Sequence, residues 1–147
     1  MARETIEIRH AKHEGKLIDK WELYLREYQR LLAPRRNDSL DLLEIGVQNG
    51  GSLELWASLF PRATRIVGCD IDPACGELSF DDDRIRVVVG DANGDAAEQA
   101  IAAHAESFDI IIDDGSHTSG DIIRSFARYF PRLKVGGLYV VEDLHCS

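Results

Sequence analysis

Apolar residues recur along the chain in two rhythms, and their alternation predicts the fold. From Lys16 to Ala33, Leu17, Trp21, Tyr24, Leu25, Tyr28, Leu31 and Leu32 return at helical spacing until Pro34 ends the pattern, so an amphipathic helix is expected over about 16–33. Its aromatic stripe is most simply core packing. Residues 1–15, with His10 and His13, read as a polar, solvated leader. Beyond the polar link 35–38, strands are expected at 41–45, 65–70, 85–90, 108–113 and 137–142, and helices at 52–60, 94–106 and 119–132. Runs such as Ile110-Ile111-Ile112 and Leu138-Tyr139-Val140-Val141 have no polar face, which suits strands covered on both sides. Five strands separated by crossovers predict an α/β, doubly wound (Rossmann-like) parallel sheet in one domain over 1–147. Ligands then collect beyond the carboxyl ends of its strands.

The first strand leads into a glycine-rich turn, Gly46-Val47-Gln48-Asn49-Gly50-Gly51, where Ser52 is expected to cap the next helix. A strand, a glycine turn and a helix N-terminus in that order present bare backbone N–H groups to a ligand. Gln48 stands where the dinucleotide fingerprint needs its second glycine, and the Gly-Lys-Ser/Thr of a P-loop is missing. Pyrophosphate is therefore disfavoured. Glu44, at the strand end, would repel phosphate but can pair with a cationic amine.

Bulk properties narrow the partners. The chain is 44% hydrophobic and carries a formal charge of −9, so it can build a core but offers no basic face to a nucleic acid. No apolar run is long enough to span a membrane and the N-terminus does not read as a signal peptide, which suggests a cytoplasmic protein. Cys69, Cys75 and Cys146 are odd in number and lack metal-ligand spacing, so reduced thiols are expected. Asp81-Asp82-Asp83 reads as a solvated turn. An apolar fifth strand ending near Ser147 would be an open edge, which points to a shortened chain or to a partner, such as a second copy, covering it.

Candidate chemistry concentrates at the ends of the fourth and fifth strands. Asp113, Asp114 and His117 follow one strand, and Glu142 and Asp143 end its neighbour. Acidic groups on adjacent strand tips repel one another unless something positive sits between them. Hard oxygen ligands without cysteine point to Mg²⁺, Mn²⁺ or Ca²⁺ rather than zinc.

These residues also carry a resemblance. Glu44-Ile45-Gly46 followed by Val67-Gly68-Cys69-Asp70 resembles the class I S-adenosylmethionine-dependent methyltransferases. Asp114-x-x-His117, with Glu142-Asp143 beginning 28 residues after Asp114, is similar to the metal and base positions of metal-dependent O-methyltransferases. Histidine here replaces the lysine base of catechol O-methyltransferase. Asp-Asp-Gly-Ser-His and Glu-Asp-Leu-His look more like the macrolide-sugar O-methyltransferase branch, which is related to the cephalosporin-hydroxylase-like and rhamnosyl O-methyltransferase proteins. Asp19-Lys20-Trp21 resembles the start of a helix that lids the cofactor site in one branch.

The resemblance implies strand order 3-2-1-4-5, without the last two strands usual for that fold. It implies S-adenosylmethionine and Mg²⁺ as cofactors and a hydroxylated small molecule, a sugar or macrolide-like compound, as acceptor. Glu44, Gly46 and Gly50 would line the methionine end, Asp70 the ribose, and Asp91 with Ala92 the adenine. Asp114, Glu142 and Asp143 would hold the metal, with His117 as general base. Successive strand residues face opposite ways, so of the pair at 113 and 114 only one reaches the metal, and Asp113 is placed with the cofactor. Asp91 reads equally as a helix cap, and Asp72 as the cap of its turn. Two other readings stand beside this one: a dinucleotide-binding oxidoreductase, and a non-catalytic cofactor-binding or dimerising module.

Overall fold

The computed structural model describes residues 4–18 and 20–144; Asp19 and Cys146 lie outside the described residues. Five parallel strands form one sheet in the order β3-β2-β1-β4-β5, as the resemblance implied. They are β1 (Asp41–Ile45), β2 (Arg65–Asp70), β3 (Ile85–Val89), β4 (Phe108–Asp113) and β5 (Leu133–Val141). The helices are α1 (Ile6–Ala11), α2 (Glu22–Leu32), α3 (Gly51–Leu59), α4 (Asp95–His104) and α5 (Ser119–Tyr129). Among the described residues, no helix is long and apolar enough to cross a membrane.

Alternation along the strands divides the core in two. Leu42, Ile66, Ile110 and Ile112 face a layer containing Ile6, Leu25, Leu32, Trp56 and Phe60, from α1, α2 and the α3 region. Leu43, Ile45, Val67, Cys69 and Ile111 face the opposite way, towards Ala97 and Ile101 of α4 and Tyr129 of α5. Both faces of the central strands are thus dry, and their uninterrupted apolar runs follow from that.

Four local expectations are corrected. The leader contains a helix, α1, capped by the Thr5 side chain and anchored by fully buried Ile6. One buried apolar residue leaves little periodic signal. Helix α2 begins at Glu22 instead of near residue 16, because the preceding strap crosses the start of α3: the Lys16 amide donates to Glu54 Oε2 at 2.8 Å. Gly50, in the left-handed conformation at φ 84°, forms the N-cap of α3, while the Ser52 hydroxyl donates back to Glu44 at 2.7 Å. Strand β5 starts at Leu133 rather than 137, with a register shift opposite Phe108–Ile110 that accommodates Gly136, at φ 78°, inside the strand.

Other expectations hold. The Asp72 side chain accepts from the Ala74 amide and caps a 3₁₀ turn over Pro73–Glu77. Cys69 and Cys75 are buried free thiols.

The strap explains one glycine. A Cβ added at Gly51 would lie 2.0 Å from the Leu17 carbonyl oxygen. Gly51→Ala should therefore lower stability by about 1–3 kcal/mol through overpacking, although alanine is the better helix former. Urea denaturation checks this, and a neutral or stabilising result would show that the strap does not rest on α3.

Candidate active site at the carboxyl ends of the strands

The parallel register brings the tips of the strands level. Ile45 lies beside Asp113, and Asp113 beside Val141. The ladder continues one step past the strands: the Asp114 amide donates to the Ile45 carbonyl at 2.8 Å, and the Glu142 amide to the Asp113 carbonyl at 2.9 Å. Acidic side chains that are distant in sequence are thereby mounted on rigid backbone side by side. Gly46, at φ 91°, permits this, since a Cβ there would lie 2.1 Å from the Asp114 carbonyl oxygen.

The carboxylates form two clusters that share Asp114. In the inner cluster, Glu44, Asp114 and Glu142 surround the Lys20 ammonium, whose side chain is 2% exposed. Lys20 Nζ lies 3.3 Å from Glu44 Oε1, 3.2 Å from Asp114 Oδ2 and 2.6 Å from Glu142 Oε1. Tyr28 donates its hydroxyl to the same Glu142 oxygen. Glu44 Oε2 accepts from Ser52 Oγ at 2.7 Å and from Trp56 Nε1 at 3.0 Å.

In the outer cluster, His117 Nε2 lies 3.8 Å from both Asp114 Oδ1 and Asp143 Oδ2. Tyr24 holds Asp143 at two points: its hydroxyl donates to Oδ1 at 2.7 Å and accepts from the Asp143 amide at 3.0 Å. His117 and Asp143 both have positive φ, 59° and 56°, as does Gln48 of the glycine turn at 49°. Left-handed backbone at non-glycine residues is uncommon, and here it gathers around one site.

A cavity of about 320 Å³ adjoins the outer cluster, within the roughly 300–1,000 Å³ of typical ligand pockets. Its lining includes Gly46, Asp70, Asp91, Ala92, Asp113, Asp114 and His117. Asp70 Oδ2 accepts from the Val47 and Gln48 amides at 2.7 and 3.0 Å, which fastens the glycine turn to β2. Asp91 accepts from the Asn93 amide at 2.9 Å and does not cap α4, whose N-cap is Gly94. Among the described residues, Asp113 Oδ2 and Asn93 Oδ1 are buried without a hydrogen-bond partner, and both residues line the cavity. Buried oxygens left in that state fit a polar ligand that donates to them.

Most of the residues singled out in the sequence therefore meet, with three departures. Glu44 lies behind the cavity and meets Lys20, so the cationic amine it pairs with belongs to the chain itself. Gly50 does not line the cavity; a Cβ there would strike the Phe80 ring at 2.6 Å. Glu142 joins the inner cluster while Asp143 joins the outer one. In the sequence Lys20 reads only as part of a segment resembling a lid helix, Tyr24 and Tyr28 only as core packing, and Asn93 is missed. A lysine in register with the apolar positions 17, 24 and 28 was the one available signal; the tyrosine hydroxyls and Asn93 gave none.

Charge follows from this packing. Burial pulls the Lys20 pKa down, but Glu44, Glu142 and Asp114 outweigh it and hold the ammonium well above its ordinary pKa. One cation cannot neutralise three carboxylates. Burial pushes the Asp114 carboxyl up to about 7, against the pull of Lys20, and the buried Glu44 carboxyl is raised as well. At Asp70 burial works the other way from its partners, and the Asp72, Gln48 and Val47 amides prevail, keeping the carboxyl below its usual range.

Comparison with known proteins gives a consistent result. A family model described as a methyltransferase domain matches residues 43–144. The chain is 42% identical over 124 residues to mycinamicin VI 2''-O-methyltransferase of Micromonospora griseorubida, covering 80% of this chain and 30% of that protein. It is 38% identical over 138 residues to 8-demethyl-8-alpha-L-rhamnosyl tetracenomycin-C 2'-O-methyltransferase of Streptomyces olivaceus, covering 88% and 35%. Among solved structures it resembles the MycE methyltransferase of the mycinamycin biosynthetic pathway, in complex with Mg, SAH and mycinamycin VI. That match has a TM-score of 0.75 and 36% identity, over 95% of this chain and 38% of that one. The chain thus spans about a third of the length of these curated relatives.

Two outcomes test the geometry. An Asp114 carboxyl near 7 when folded and near 3.9 when unfolded binds more protons in the native state between those values, so its contribution to stability falls as pH rises. Metal-free protein should therefore lose stability relative to Asp114→Asn from about pH 4 to about pH 7 and hold level above; parallel stability curves would refute the shift. His117→Gly should relieve the left-handed backbone and match or exceed the parent's stability by up to about 1 kcal/mol, whereas a clear loss by chemical denaturation would mean that the imidazole serves the fold.

Proposed function

Because the chain belongs to the methyltransferase domain family, we propose that its strand-end site transfers a methyl group from S-adenosylmethionine to a hydroxyl of a sugar or glycosylated natural product, with a divalent ion, Mg²⁺, beside the reacting oxygen. The observation that carries this reading is the acid-lined cavity opening onto Asp114 and His117, which share the outer cluster with Asp143. Carboxylates along the wall repel the phosphates of a dinucleotide and favour a cationic sulfonium ligand. The sugar-directed names of the relatives support the acceptor class.

The residues present fit both groups. Asp70, Asp91, Ala92, Asp113 and Gly46 line the cavity and would hold the cofactor. Asp114 and Asp143 offer hard carboxylate oxygens within 4.8 Å of each other, donors that suit Mg²⁺ or Mn²⁺, and the His117 ring nitrogen beside them is kept for the proton. Glu142 would assist from the inner cluster through its unshared oxygen.

When bound, S-adenosylmethionine supplies an already activated methyl group, and the ion lowers the cost of forming an alkoxide. The chain's own residues must orient the acceptor and take its proton. His117 is the candidate base: its Nε2 faces the cluster, 3.8 Å from both Asp114 Oδ1 and Asp143 Oδ2. Asp70 keeps the glycine turn shaped through its amide bonds, so that the cavity wall is preformed.

Isothermal calorimetry with S-adenosylhomocysteine should show binding that weakens tenfold or more, roughly 1.4 kcal/mol or above, in Asp70→Ala. His117→Ala should keep that binding and lower methyl transfer to a glycosylated acceptor by about 10²–10⁴-fold. Unchanged affinity in the first variant, or full transfer by the second, would defeat the assignment.

A further inference from the structure

Lys20 is a cation built into a site whose other charges are carboxylates. It reaches the strand ends from the strap that precedes α2, 94 residues away in sequence from Asp114 and 122 from Glu142. Its ammonium lies over two aromatic rings, with Nζ 5.8 Å from the centroids of both Tyr28 and Trp56. Glu44 Oε1, fully buried, has Lys20 Nζ at 3.3 Å.

The two oxygens of Asp114 are divided between the clusters. Oδ2 meets Lys20 at 3.2 Å, and Oδ1 faces His117 Nε2 at 3.8 Å. A carboxylate is planar, so anchoring one oxygen fixes the direction of the other. Glu142 is held in the same way, with Oε1 on Lys20 and Tyr28.

We propose that Lys20 is a positioning residue: its ammonium is a tethered counter-ion that fills the inner cluster and turns Asp114 so that one oxygen faces Asp143 and His117, leaving the outer cluster as the one open to a divalent ion. This rests on reading the outer cluster as the metal site. Lys20 does not line the cavity proposed for the methyl donor. It acts through Asp114 and Glu142, as partners behind a ligand set orient the ligands in front.

Removing Lys20 alone leaves three clustered carboxylates, Glu44 and Glu142 of them buried, with no cation and threatens folding, so the informative variant is Lys20→Met combined with Glu44→Gln. One positive and one negative charge leave together, the net charge of the cluster is unchanged, and the new amide oxygen can still accept from Ser52 and Trp56. In metal-stripped protein, Mn²⁺ binding followed by electron paramagnetic resonance should be about 10–100-fold weaker in the double variant than in the parent. A folded double variant, judged by circular dichroism, that binds Mn²⁺ with the parent's affinity overturns the proposal.

If the parent itself takes up no Mn²⁺, the metal reading of the outer cluster fails. The role of Lys20 is then decided by a crystal structure of the metal-free double variant. A displaced Asp114 carboxylate supports positioning, and one still facing His117 refutes it.

Discussion

Carboxylates gathered in a partly dry space cannot persist without compensation, and this constraint governs the molecule. A parallel sheet delivers its strand ends to one edge, and in this chain those ends carry Glu44, Asp114 and Glu142 within reach of one another. Their repulsion rises steeply as the local dielectric falls. Lys20 answers part of it, with its side chain 2% exposed. Burial, with the charge of Glu142 and Glu44 that Lys20 does not cancel, pushes the Asp114 carboxyl up to about 7.

The same constraint explains why the N-terminal segment folds where it does. Helix α2 is amphipathic and docks an apolar stripe on the sheet, but its polar atoms reach past the core: Tyr24 holds Asp143 and Tyr28 holds Glu142. The strap before it lies across the start of α3 and brings Lys20 to the acids. A segment that looks peripheral in the chain thus forms the support behind the strand-end carboxylates. Left-handed backbone at His117 and Asp143 is held on the other side, next to the cavity, where strain is compatible with ligand binding.

The sequence by itself determined the architecture. Five apolar runs separated by helical patterns leave little choice but a parallel doubly wound sheet, and alternation separates Asp113 from Asp114 on opposite faces. It also determined which acids gather, because register-matched parallel strands end together and their flanking residues meet whatever else happens. Asp113, Asp114 and His117 follow from these local rules, Asp70 and Asp91 were implied by the family resemblance, and all five line one cavity.

Only the tertiary structure decided how that acidity is divided. Whether Glu142 faces the same centre as Asp143, or whether Glu44 meets a ligand or a lysine, depends on side-chain directions at the tips of different strands and on a strap whose apolar spacing reads as helix. Pairing of Lys20 with Asp114 and Glu142 spans 94 and 122 residues, and contacts of that range are chosen by packing and by the cost of burying unpaired charge. Local patterns carry no record of that choice, which is why the acids were legible in the chain and their counter-ion was not.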